Sequence, residues 1–132
     1  MSIVVDSSVV VAALVDSGQH GNWAEEILAS GSLQAPELIL VETTNILRRL
    51  ERAKLITTPE ANAAQDDLMQ LDIELFPFEP FAERIWELRH NVTSYDAWYV
   101  AIAEALLLPL ATLDEPLSTS NGVSCKIVTP GF

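Results

Sequence analysis

Four acidic residues of the sequence have surroundings that suggest chemistry. They are Asp6, Glu42, Asp96 and Asp114. Asp6, Glu42 and Asp114 each directly follow a strongly apolar segment, so their carboxylates are expected beside a hydrophobic core. Carboxylates rarely lie beside a core without a compensating charge. No Lys or Arg stands next to these acids in the sequence, apart from Arg49 two helical turns beyond Glu42, so we expect the compensating charge to come from outside the chain.

Divalent cations are the natural source of that charge. Mg²⁺ prefers oxygen ligands, keeps several waters and binds through a few carboxylates together with substrate phosphate. Taken singly, each acid also has an ordinary explanation: Asp6 and Asp114 end strands, Glu42 is a solvated helix residue, and Asp96 complements a helix dipole. The apolar setting shared by three of the four favours a metal site over four unrelated acids.

The elements that position these acids alternate between short strands and longer helices. Strands are predicted at residues 3–5, 33–35, 73–76, 110–113 and 126–128, from short apolar or alternating runs. Helices are predicted at residues 9–15, 36–54, 58–71, 80–90 and 95–108, with a further one starting near residue 22 and stopping at Gly31. Asp6 and Asp114 then follow two strands, Glu42 lies inside a helix, and Asp96 lies in the first turn of another.

This alternation predicts the fold class. Strands separated by helices indicate an α/β protein, a three-layer α/β/α sandwich with a central, mostly parallel sheet. Ligands bind such sheets at the carboxyl ends of the strands. If the strand order is 3-2-1-4-5, the strands that end at Asp6 and Asp114 are neighbours; this order is an assumption.

Charge and size limit the partners of the chain. Its 132 residues are the commonest size of one domain, so we expect a single domain over residues 1–132. With 19 acidic and 7 basic residues, the formal net charge is −12, and a polyanionic partner therefore needs local positive charge. Four of the seven basic residues cluster at Arg48, Arg49, Arg52 and Lys54. The cluster is either a nucleic-acid contact or a solvated helix face near a C-terminus.

The sequence also indicates a location. A lone cysteine, Cys125, and two histidines, His20 and His90, offer neither a disulfide nor a zinc cluster. The N-terminus lacks a basic leader, and the apolar run at residues 9–15 is too short to cross a bilayer. We therefore expect a cytoplasmic protein that does not bind a membrane.

Four segments, in this order and spacing, resemble the PIN-domain ribonucleases and, within them, the VapC-like toxins of bacterial toxin–antitoxin pairs. They are residues 4–8 (VVDSS), 41–49 (VETTNILRR), 94–103 (SYDAWYVAIA) and 111–114 (ATLD). The resemblance runs nearly from end to end. One departure follows Asp114, where relatives often continue into a longer amphipathic helix, whereas Pro116 allows only a first turn here.

The resemblance implies a function and a set of roles. It implies a PIN-like fold and hydrolysis of RNA phosphodiester bonds with one or two Mg²⁺ or Mn²⁺ ions. Asp6, Glu42, Asp96 and Asp114 match the catalytic, metal-binding acids of the family, and Ser7, Asn45 and Thr112 match its supporting polar positions. Arg48 and Arg49 become candidate RNA contacts. The implied partners are an RNA substrate, a small antitoxin protein and a second copy of the chain in a homodimer.

Two other function classes stay open at this point. One is a PIN-fold binding module without catalysis. The presence of all four acids argues against this class. The other is an aspartate-based phosphoacceptor or phosphatase domain. Such phosphatases carry Asp-x-Asp after the first strand, where this chain has Asp6-Ser7-Ser8, and receiver domains need a lysine after a late strand, whereas Lys126 precedes one.

Overall fold

The computed structural model describes residues 1–131 and contains a five-stranded parallel sheet. Its strands are β1 (Ser2–Val5), β2 (Ser32–Pro36), β3 (Ile73–Phe76), β4 (Leu110–Ala111) and β5 (Ile127–Val128). The order across the sheet is β3-β2-β1-β4-β5, and every neighbouring pair is parallel. The assumed order 3-2-1-4-5 is therefore confirmed, and β1 and β4, the strands that precede Asp6 and Asp114, are neighbours.

Helices cover the sheet on both sides. They are α1 (Ser7–Val15), α2 (Gln19–Ala29), α3 (Leu38–Arg52), α4 (Thr58–Gln70), α5 (Ala82–Glu87), α6 (Ser94–Leu106) and α7 (Glu115–Ser118). Helices α1 to α4 pack against one another, whereas α6 packs against α5 and against β1, β2 and β4. The predicted three-layer α/β/α sandwich is thus confirmed.

The core lies along β1, where Ile3, Val4 and Val5 are almost completely buried, as expected for a strand covered on both faces. The three apolar segments that precede Asp6, Glu42 and Asp114 all contribute buried residues, including Ile39 and Ala111. Among residues 1–131, none of the helices has the length and apolar character needed to cross a bilayer.

Two predicted helix starts are wrong. Helix α2 begins at Gln19 with Gly18 as its N-cap, so Asn22 lies inside the helix and does not cap it. The first hydrogen bond of this earlier start runs from the Asn22 amide to the Gly18 carbonyl, at 3.0 Å. Pro36 ends β2 beside Phe76 instead of opening a helix, and α3 starts two residues later at Leu38. Proline is tolerated where it ends a strand, because few ladder bonds depend on its missing N–H.

The single helix predicted at residues 80–90 is divided. A 3₁₀ turn, Glu79–Phe81, precedes the six-residue α5. Trp86 in α5 is 66% exposed, with the Arg89 guanidinium 4.3 Å from its ring centroid. The next helix, predicted from residue 95, begins at Ser94, and Thr93 is its N-cap because the Thr93 hydroxyl accepts from the Asp96 amide. Asp96 lies in the first turn, as predicted.

An ion pair fastens α6, the helix that carries Asp96, to its surroundings. Arg84 Nε donates to Glu104 Oε1 at 2.7 Å, and the same guanidinium donates to the Gly122 carbonyl at 2.8 Å. Glu104 Oε2 accepts from the Ser124 amide at 2.7 Å. Burial raises the pKa of Glu104, but these hydrogen bonds outweigh it and hold the pKa below its usual value. The pair thus joins α5, α6 and the segment that leads into β5.

Candidate functional site

Asp6 lies at the carboxyl end of β1 and is also the N-cap of α1. Its side chain is 5% exposed and accepts three hydrogen bonds. Oδ1 accepts from the Ser8 hydroxyl at 2.5 Å and from the Val9 amide at 3.2 Å, and Oδ2 accepts from the Thr112 hydroxyl. A short polar residue between a strand and a helix satisfies an otherwise unpaired helix amide, which explains why the chain turns here.

The same hydroxyls connect Asp6 to the end of β4. Thr112 Oγ1 accepts from the Asp114 amide at 2.9 Å, and Ser8 Oγ accepts from the Leu113 amide at 3.0 Å. Asp114 in turn caps α7, where its Oδ1 accepts from the Leu117 amide at 3.0 Å. Because β1 and β4 are paired, these bonds hold Asp6 and Asp114 at one edge of the sheet.

Ser8 is a contact that sequence reasoning missed. Ser7 was given the supporting role, yet the hydroxyl that bonds Asp6 belongs to Ser8. Asp6-Ser7-Ser8 contains the signal, because a side chain two residues after an N-cap aspartate is placed to reach it. Ser7 is half-buried in the first turn of α1 and forms no hydrogen bond to Asp6 among residues 1–131. Burial raises the pKa of the Tyr99 hydroxyl, and Ser7 offsets a small part of that rise.

Glu42 reaches the site from α3. The buried row of this helix is Ile39, Thr43 and Leu47, so Glu42 lies at the border of the core and is half-buried. Its Oε1 accepts a hydrogen bond of 2.5 Å from the hydroxyl of Tyr99. Tyr99 is also a contact that the sequence analysis missed, since it was not among the candidate site residues. Its signal is the spacing of three residues from Asp96, which places both on one face of α6.

Asp96 interacts electrostatically with each of the other three acids. Its charge raises the pKa of both Asp6 and Glu42, secondary in each case to burial. Its own pKa is raised by burial and then by the charge of Asp114. Asp6 shows the largest effect among these carboxylates, with a pKa raised to about 6. Each of the other three predicted acids therefore interacts electrostatically with Asp96.

This donor set fits a hard divalent cation. Asp96 interacts electrostatically with the other three acids, and no Lys or Arg forms an ion pair with any of the four among residues 1–131. Their mutual repulsion is what a bound cation relieves. No three of these acids within the described chain are close enough to form a complete ligand set, so a cation here requires water or substrate oxygens as further ligands.

The remaining predicted residues lie farther along α3. Asn45 is exposed one turn beyond Glu42, and it lines a shallow cavity of about 350 Å³ together with Val41 and Arg48. Arg48 and Arg49 are both exposed, and neither forms an ion pair within residues 1–131. Asn45 forms no hydrogen bond to the acids among residues 1–131, and the two arginines are exposed to solvent on the same helix as Glu42.

Comparisons with known proteins agree on one family. The PIN domain family model matches residues 3–119. The chain is 40% identical over 125 residues to ribonuclease VapC1 of Mycobacterium tuberculosis, covering 94% of each protein. Among solved structures it is similar to VapC20 of M. tuberculosis, described as a sarcin-ricin loop cleaving toxin (TM-score 0.67, 21% identity, 92% and 96% of the two chains). It is also similar to VapBC-5 of M. tuberculosis, a member of the VapBC family of toxin–antitoxin systems (TM-score 0.56, 22% identity, 97% and 96%).

Proposed function

The chain belongs to the PIN domain family, and from this premise we propose that it is a metal-dependent endoribonuclease that acts as the toxin of a toxin–antitoxin pair. The observation that carries the proposal is Asp96 in the first turn of α6, whose charge raises the pKa of Asp6 and Glu42 and whose own pKa is raised by the charge of Asp114. A scaffold without catalysis has no need to keep four repelling carboxylates together. The name of the relative VapC1 supports the choice of RNA as substrate.

We assign the metal to Asp6, Glu42, Asp96 and Asp114, and we propose Mg²⁺ or Mn²⁺, in one or two copies. When bound, such a cation supplies an activated water and neutralises charge on the phosphate. The chain itself orients the donors: Ser8 and Thr112 fix the two oxygens of Asp6, and the Thr112 hydroxyl also accepts from the Asp114 amide. Thr112 therefore contacts two of the four acids, Asp6 at its carboxylate and Asp114 at its backbone amide.

The experiment that tests the function is incubation of the purified protein with a pool of structured RNAs. We expect cleavage with Mg²⁺ or Mn²⁺ and none with excess EDTA. If folded protein without an antitoxin cleaves no RNA and binds neither metal, the nuclease assignment is wrong and the non-catalytic PIN module is preferred. A covalent aspartyl-phosphate formed from a small phosphodonor would instead favour the phosphoacceptor class.

Arg48 and Arg49 are proposed to contact the RNA backbone. They are exposed, they carry no carboxylate partner in the described chain, and they follow Glu42 on α3. We expect the double substitution Arg48→Ala and Arg49→Ala to weaken RNA binding by roughly tenfold and to reduce its salt dependence. Fluorescence anisotropy with the metal replaced by Ca²⁺ measures both effects. The exposed Arg89→Ala is the control, and equal weakening by the control would remove this role.

We also propose that the described chain forms one nuclease domain, that it works in the cytoplasm, and that it binds an antitoxin and a second copy of itself. The structure of VapBC-5 supports the antitoxin, since that neighbour is a toxin–antitoxin system. Two exposed leucines at the end of α6, Leu106 and Leu107, are 39% and 90% exposed and support an apolar interface. We expect light scattering at micromolar concentration to give the mass of a dimer; a monomer would contradict the homodimer.

A further inference from the structure

Tyr99 has an unusual combination of burial and contact. Its side chain is only 1% exposed, yet its hydroxyl reaches the half-buried Glu42 and donates to Oε1 at 2.5 Å. The bond links α6 to α3 across 57 positions of the sequence. The hydroxyl of a tyrosine buried to this extent is expected to form a hydrogen bond, and here its partner is one of the four acids.

Glu42 needs such a bond to stay in the site. The charge of Asp96 repels its carboxylate, and solvent on the exposed side of α3 offers it better hydration. The hydroxyl of Tyr99 opposes both effects with a hydrogen bond to a charged acceptor, the stronger kind. Glu42 Oε2 has no hydrogen-bond partner among residues 1–131, so the bond to Oε1 leaves one oxygen free for a cation.

We propose that Tyr99 is a positioning residue that holds the Glu42 carboxylate towards the metal through its hydroxyl. The inference rests on the proposed metal-dependent function, and it adds a residue that acts only through Glu42.

Tyr99→Phe tests the hydroxyl alone, since phenylalanine fills the same buried space. We expect Mn²⁺ affinity, measured by titration calorimetry without RNA, to fall roughly tenfold, the lower range for loss of a group that orients a metal ligand. The matched control is Tyr95→Phe. Tyr95 is the other tyrosine of the chain and is 62% exposed, so its hydroxyl can be removed without a change in Mn²⁺ affinity.

A double-mutant cycle with Glu42→Gln separates positioning from a general structural effect. If Tyr99 acts through Glu42, Tyr99→Phe changes Mn²⁺ affinity strongly in the unmutated chain and little in the Glu42→Gln chain. Equal weakening in both backgrounds, or no weakening in the unmutated chain, overturns the positioning role while the metal site stands. Absence of Mn²⁺ binding by the unmutated protein overturns the metal site and this inference together. Circular dichroism of each variant verifies that it is folded.

Discussion

Replacement of Asp96 by asparagine is expected to reduce metal-dependent RNA cleavage by roughly a thousandfold or more, the range seen when a central catalytic group is removed. Asp96 is the acid whose charge acts on Asp6 and Glu42 and which itself responds to Asp114. The substitution removes the one carboxylate that interacts electrostatically with each of the other three acids. The rate of cleavage of one RNA at saturating Mg²⁺ measures the effect.

Asp72→Asn is the matched control for this substitution. Asp72 is exposed and immediately precedes β3, so it lies at the opposite edge of the parallel sheet from the four acids. The Asp72→Asn substitution removes one negative charge, as Asp96→Asn does, and we expect it to leave the cleavage rate unchanged. Two results would contradict the prediction: cleavage by Asp96→Asn at near the original rate, or an equal loss in both variants, which would make net charge the cause.

The sequence predicted those parts of the fold that depend on local patterns. The β-branched run at residues 3–5 marks a strand buried on both faces, and the polar residues after it mark the turn into α1. Alternation of strands and helices then predicts a parallel sheet, which brings the residues after β1 and β4 to one edge. Asp6 and Asp114 meet there because sheet topology requires it.

The contacts that orient the acids depend on tertiary structure and could not be derived in this way. Thr112 bonds Asp6 across 106 positions, and Tyr99 bonds Glu42 across 57. No periodicity encodes which of several nearby hydroxyls reaches a carboxylate, since that depends on helix rotation and rotamer. The hydroxyl that bonds Asp6 belongs to Ser8 instead of Ser7, which is a one-residue example of this limit.

Asp6→Asn is expected to stabilise the metal-free protein at pH 8 by about 2 kcal/mol. Burial raises the pKa of Asp6 to about 6, above its value of 3.8 in an unfolded chain, so the folded state binds the proton more tightly. Its contribution to stability is therefore fully present below about pH 4 and is lost as the pH rises through 6. The ionised carboxylate then costs about 3 kcal/mol, and asparagine removes that cost while disturbing the hydrogen bond from Thr112.

Thermal unfolding in EDTA at pH 4 and pH 8 measures this effect. We expect Asp6→Asn to raise the melting temperature by about 6 °C at pH 8. We expect no such difference at pH 4, because Asp6 of the folded, unmutated protein is then protonated and as neutral as asparagine. The exposed Asp72→Asn should follow the unmutated protein at both values. An advantage of Asp6→Asn that is equal at both pH values would show that packing, and not the buried charge, is the cause.

Adding Mn²⁺ at pH 8 should reverse the order of stability. A cation that binds the folded state stabilises it in proportion to the logarithm of its concentration over the dissociation constant, and it requires deprotonated ligands. The unmutated protein therefore gains stability with Mn²⁺, whereas Asp6→Asn gains little because it lacks the most buried of the four carboxylates. The buried charge that destabilises the metal-free protein is thus the charge that we propose binds the metal. If Mn²⁺ stabilised the Asp6→Asn protein as strongly as the unmutated one, Asp6 would not be a metal ligand.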